Sequence, residues 1–76
     1  MLRLFAAARE AAGTGHDIVP GGTVADALRA ATERYGSGFA AVLGGSRVWL
    51  NGEPVAHGAP VTDTDELAVL PPVSGG

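Results

Sequence analysis

The chain alternates between short apolar runs and polar or glycine-rich breaks, and the period changes from one run to the next. Leu2 to Ala8 is apolar with Arg3 as its only charge. It reads as a first strand, with room for a helical turn at Ala7–Ala12, which Gly13-Thr14-Gly15 breaks. His16 to Val19 reads as a short second strand, ended by Pro20-Gly21-Gly22. From Thr23 to Tyr35 the period becomes helical. Val24, Leu28, Ala31 and Tyr35 fall on one stripe, with Arg29, Glu33 and Arg34 off it. Thr23 is placed to cap this helix, with Asp26 three residues on in the manner of a capping box, and Gly36 to close it left-handed. The apolar stretch Phe39–Leu43 fits either a turn of helix or a packed loop.

Alternation by twos returns at Arg47–Leu50, with Val48 and Leu50 on one face and Trp49 on the other. Asn51-Gly52 is the strongest hairpin signal in the chain. The return arm Glu53-Pro54-Val55 carries a proline that marks a sheet edge. Asp63 to Glu66 reads as a polar turn. The last strand, Glu66–Leu70, sets Leu67 and Val69 against Ala68 and Leu70. One main helix among five strands predicts an α+β domain, a mixed sheet packed on that helix. The first and last strands, the most continuously apolar, belong side by side and parallel at its centre. The domain is expected over residues 1–70. Beyond Leu70 the character changes to Pro71-Pro72-Val73-Ser74-Gly75-Gly76, expected as a flexible tail. Its prolines deny ladder hydrogen bonds, and its glycines carry no Cβ.

Size narrows the chemistry. A chain of 76 residues is one domain and buries only about 60% of its unfolded surface. A deep internal active site does not fit. Its large core candidates are few: Leu and Val residues with Phe5, Tyr35, Phe39 and Trp49. The net charge is −3, and five scattered arginines stand without a single lysine. No basic stripe suits nucleic acid. No apolar run approaches the ~20 residues of a membrane helix. Nothing resembles a signal peptide, so a cytoplasmic location is the expectation. Without cysteine, a disulfide, a thiolate metal site and a thiol nucleophile are excluded. His16 and His57 are far apart and suggest no metal site. Asp63, Asp65 and Glu66 read as a solvated turn, and Ser74 has no base nearby in sequence.

The distinctive reactive group left is the carboxyl of Gly76. A free α-carboxyl, with a pKa of about 3.3–3.7, is ionised and a poor electrophile, so it needs activation, for example as an acyl-adenylate. Sulfide could then displace the adenylate and leave a thiocarboxylate, with no cysteine required. Six tail residues extend at most ~20 Å, enough to enter a partner's pocket while the body stays outside.

These residues together resemble a known family. Phe5-Ala6-Ala7-Ala8-Arg9-Glu10-Ala11-Ala12-Gly13, Asn51-Gly52-Glu53, Asp65–Val69 and the ending Leu70–Gly76 are similar to the MoaD-type small subunits of molybdopterin synthase. Those belong to the ubiquitin-like sulfur carriers. The resemblance spans the chain. It departs at Thr64, where the family often has glycine, and at Val69-Leu70, where it often has aromatic residues. It implies a β-grasp fold and a carrier with no turnover of its own. A ubiquitin-activating-type adenylyltransferase would use ATP to adenylate Gly76, which would then be thiocarboxylated. The tail, with Leu70, Pro71, Pro72, Val73, Ser74 and Gly75 as partner-binding residues, would enter the large synthase subunit in a heterotetramer. Sulfur would pass there to a pterin precursor of the molybdenum cofactor. No bound cofactor or metal is implied. Related carriers serve thiamine or cysteine synthesis. A β-grasp interaction module with an inert tail is the alternative from another class.

Overall fold

The computed structural model describes residues 1–72. Eight elements follow in order: β1 (Leu2–Leu4), α1 (Ala6–Ala12), β2 (His16–Asp17), α2 (Val24–Tyr35), α3 (Ser37–Gly44), β3 (Arg47–Leu50), β4 (Glu53–Pro54) and β5 (Leu67–Leu70). The five strands form one sheet in the order β2-β1-β5-β3-β4. β5 is central. It runs parallel to β1, with Leu2 opposite Leu67 and Leu4 opposite Val69. It runs antiparallel to β3, with Val48 opposite Val69. The expected central parallel pair is therefore present.

The alternation of the strands decides what is buried. Leu2, Leu4, Val48, Leu67 and Val69 point to one face and join Val24, Ala27, Leu28 and Ala31 of α2 in the core. Phe39 of α3 is fully buried at 0% exposure. It meets Tyr35 edge-on, with ring centroids 5.2 Å apart. The ambiguous Phe39–Leu43 stretch is thus a helix, and its aromatic residue completes the core. Among the described residues, no buried side-chain nitrogen or oxygen lacks a partner.

Local signals explain most boundaries. The Thr23 hydroxyl accepts from the Asp26 N–H at 3.1 Å and caps α2. The reciprocal arm of a capping box does not form, and the Asp26 carboxylate faces Arg29 at 3.4 Å instead. Asn51 and Gly52 both take positive φ, 51° and 86°, as a tight hairpin turn requires.

Five expectations are corrected. The first strand stops at Leu4 rather than Ala8. Ala6, at φ 48°, turns the chain into α1, where an alanine-rich run favours helix. Phe5 is therefore 42% exposed and not part of the core. The second strand ends at Asp17, and Ile18 is 79% exposed. Gly36 takes φ 91° with ψ −169°, an extended left-sided conformation, because α3 starts at the next residue. Glu66 precedes the last strand, which begins at Leu67.

One polar cluster ties β2 to the end of α2. The Tyr35 hydroxyl donates to Asp17 Oδ2. Arg34 reaches the same oxygen at 2.7 Å and the Ile18 carbonyl at 3.0 Å. The Tyr35 hydrogen bond first, then those of Arg34 and the Ile18 N–H, hold Asp17 down at about 2. A depressed carboxylate stabilises the fold above its unfolded value, and this contribution is lost as pH falls through the folded value. With the Asp17 side chain 27% exposed, solvent screening limits it to about 1–2 kcal/mol. Asp17→Asn is expected to lower stability by that amount at pH 6. The difference from the wild type should shrink between about pH 4 and pH 2. Urea unfolding across this range checks it, and a difference independent of pH would refute the assignment.

Candidate functional site

The central strand delivers the tail. Val69 is buried at 0% exposure, and its carbonyl accepts from the Phe5 N–H at 3.3 Å. Val69 therefore anchors the last turn of the sheet from both side chain and backbone. Leu70 points to the opposite face, half-buried, with Arg47 as its cross-strand partner. Pro71 is half-buried and Pro72 exposed. Neither can donate to a ladder, so strand pairing stops there. A surface depression of about 430 Å³ at this exit is lined by Gly45, Arg47, Leu70, Pro71 and Pro72. Val73, Ser74, Gly75 and Gly76 lie outside the described residues.

Among the described residues, the outer face of the sheet carries no helix. One row across it reads Arg3, Ala68, Trp49, Pro54. The next reads Leu70 and Arg47, with Phe5 beside Leu70 one step past the β1 register. Trp49, Ala68 and Leu70 are half-buried, and Phe5 is exposed. Alternation alone left open whether Leu70 shares its face with Trp49 or with the pair Val48 and Leu50. The register settles it for Trp49, since Val48 and Leu50 pack with the core. Phe5 was missed as a surface residue. Its parity with the charged Arg3 was the available signal.

Three of the five arginines are paired. Arg3 pairs with Glu66 at 3.6 Å, Arg29 with Asp26 and Arg34 with Asp17. Among the described residues, Arg9 and Arg47 form no ion pair. Arg47 lines the exit depression, and Arg9 lines another of about 460 Å³ with Phe5 and Ala6.

The opposite end of the sheet is acidic and tightly bonded. Asp65 accepts from Asn51 Nδ2 at 3.0 Å and from the Thr62 N–H at 2.8 Å. Those hydrogen bonds, that of Asn51 foremost, lower its pKa. The Glu66 N–H donates back to Asn51 Oδ1 at 2.9 Å. The Asp63–Glu66 turn is therefore half of a clasp on the β3–β4 hairpin. A cavity of about 290 Å³ at this end is lined by residues that include Met1, Ile18, Val61 and Leu67. It lies at the start of β5, away from the tail.

His16 stands on β2 opposite Arg3, and the His57 carbonyl accepts from the Ala25 N–H in a loop. Among the described residues, no group of three metal-ligating side chains converges. No helix there is long and apolar enough to cross a membrane.

Comparison with known proteins places this architecture. The chain is similar to SAMP1 from Haloferax volcanii, with 36% identity, TM-score 0.81, and 99% of this chain and 96% of that one covered. It is similar to the small archaeal modifier protein 1 of Methanosarcina acetivorans, with 31% identity, TM-score 0.87 and coverage of 99% and 93%. The HVO 2177 protein of Haloferax volcanii is 32% identical at TM-score 0.76, with 99% and 83% covered. No curated protein matches. The ThiS family profile matches residues 2–76. With its β-grasp fold and a match running from the start of β1 through Gly76, the chain belongs to the ThiS family of ubiquitin-like sulfur carriers.

Proposed function

We propose that Gly76 is the working residue, activated at its carboxyl as an acyl-adenylate and converted to a thiocarboxylate. The chain would serve as the small, sulfur-donating subunit of a molybdopterin synthase, passing sulfur to a pterin precursor in the large subunit. A ubiquitin-activating-type adenylyltransferase would supply the adenylate from ATP. The observation that carries this reading is the family match through Gly76, on a tail launched from the most deeply anchored strand of the sheet. A Gly-Gly end passes where a Cβ would collide. Leu70, Pro71 and Pro72 would seat against the partner at the channel mouth, followed by Val73, Ser74 and Gly75.

The test is reconstitution with the activating enzyme, ATP, a sulfide donor, the large synthase subunit and the pterin precursor. The expected result is sulfur incorporation into the pterin. Thiocarboxylate formation without transfer to the pterin would reject the molybdopterin role and favour a carrier for thiamine or cysteine synthesis. Absence of any Gly76 adduct would leave an interaction module.

A second reading has its own support in the likeness to two proteins named as small archaeal modifiers. The same activated Gly76 would then be attacked by an amine of a target protein instead of by sulfide.

Either reading needs a docking surface, and the outer sheet face supplies apolar area next to the tail. Exposed apolar patches of this kind mark binding sites. Leu70→Asp is expected to weaken association with the large subunit by at least tenfold, or about 1.4 kcal/mol. The fold should persist because Leu70 faces away from the core. Titration calorimetry with circular dichroism on the same sample checks both, and undiminished binding would reject the patch.

A further inference from the structure

The full sequence contains no lysine and no cysteine. For a chain whose own end becomes an activated acyl group, that composition has a chemical consequence. An acyl-adenylate is consumed by whatever amine or thiol meets it. The amine nitrogen attacks the Gly76 carbonyl carbon, a C–N bond forms and the C–O bond to AMP breaks. AMP leaves with the electron pair, and the proton passes to solvent. None of the side chains of this protein can carry out that attack.

The two histidines make no lasting bond. An imidazole acylated at His16 or His57 hydrolyses. Tyr35 is the most acidic hydroxyl in the chain by type, but it is half-buried and donates to Asp17. Burial first, and the Asp17 hydrogen bond second, push it up to about 12. The primary amine among the described residues is that of Met1. It donates to the Asp65 carbonyl at 2.6 Å, and the Met1 carbonyl accepts from the Leu67 N–H at 2.8 Å. Both bonds fix it at the start of β5, whereas the tail leaves from the end.

We propose that the chain is a terminating acyl donor: transfer of Gly76 to an amine of another protein attaches a single copy and stops, because the copy just attached offers no side-chain amine for the next. This rests on the reading of Gly76 as the activated group and concerns the class of acceptor, a primary amine on a different protein. Under the sulfur reading, the same composition offers the activated pool no side-chain amine or thiol to acylate.

The experiment uses the full chain, its activating enzyme and ATP, with hydroxylamine, N-α-acetyl-lysine or no added amine. Arg29→Lys serves as the comparison, since Arg29 is an exposed residue on α2. The expected results are a hydroxamate, a single acetyl-lysine adduct at Gly76, no copy-to-copy product from the wild type, and a ladder from Arg29→Lys. A covalent wild-type dimer, through Met1 or any other residue, overturns the proposal. So does a hydroxamate without an acetyl-lysine adduct, since the chain is then activated but does not transfer to this amine. An acetyl-lysine adduct with no ladder from Arg29→Lys also overturns it, because the missing lysine would not be what stops the chain. No hydroxamate at all refutes the activation reading itself.

Discussion

Removing Gly76 is expected to abolish both adenylation and sulfur donation while leaving the fold intact. Every buried apolar residue of the described structure lies between Leu2 and Val69, so nothing in the core depends on the last residue. Shortening the tail by one residue pulls the reactive carbonyl back by ~3.3–3.6 Å when the tail is extended. A misplacement of only ~1 Å can cost about 100-fold when reacting atoms must meet in a fixed geometry. Adding one residue after Gly76 should be equally damaging. Gly75→Val should fold and fail as well, its branched side chain blocking a narrow channel. Thermal melts together with ATP–pyrophosphate exchange on the activating enzyme separate folding from activity. Full exchange by the deletion variant would remove Gly76 from the account.

The largest effect on stability is expected at Phe39. Its ring is fully buried, the largest side chain in the core, and packs edge-on against Tyr35. Truncating a buried phenylalanine to alanine costs about 3–5 kcal/mol, from lost transfer energy and the cavity left behind. A single-core domain below ~80 residues rarely has more than about 3–5 kcal/mol in total. Phe39→Ala should therefore be largely unfolded at 25 °C, whereas Phe39→Leu should retain a cooperative transition at reduced stability. Urea denaturation followed by circular dichroism decides it. A Phe39→Ala loss below about 1 kcal/mol would mean that α3 does not close the core.

The parts of the fold legible in the sequence were those with strong periodicity. The α2 stripe from Val24 to Tyr35, its Thr23 cap, the Arg47–Leu50 alternation and the Asn51-Gly52 turn are local signals, and the structure follows them. The β1–β5 pairing was legible because two continuously apolar strands belong in a sheet centre. Boundaries within alanine runs were not, since Ala6–Ala8 satisfies a buried strand and a helix equally. The turn at Ala6 is decided by packing of α1 and by the Phe5 N–H bond to Val69. The helical state of Phe39–Leu43 was likewise undecided over so short a run.

For the candidate site, composition pointed to the tail, but its surroundings required the register. Only the pairing of Arg47 with Leu70 and of Ala68 with Trp49 brings the apolar outer face to the tail exit. Arg9 and Phe5 reach the same end through the turn at Ala6. The clasp of Asn51 on Asp65 joins residues that are distant in sequence, so neither signals it alone.

The most direct test of the central claim is tandem mass spectrometry of the C-terminal fragment after incubation with the activating enzyme, ATP and a sulfide donor. The expected result is replacement of a single oxygen by sulfur, confined to the Gly76 carboxyl and dependent on ATP. A fragment recovered unchanged, or a modification placed on any other residue, would contradict it.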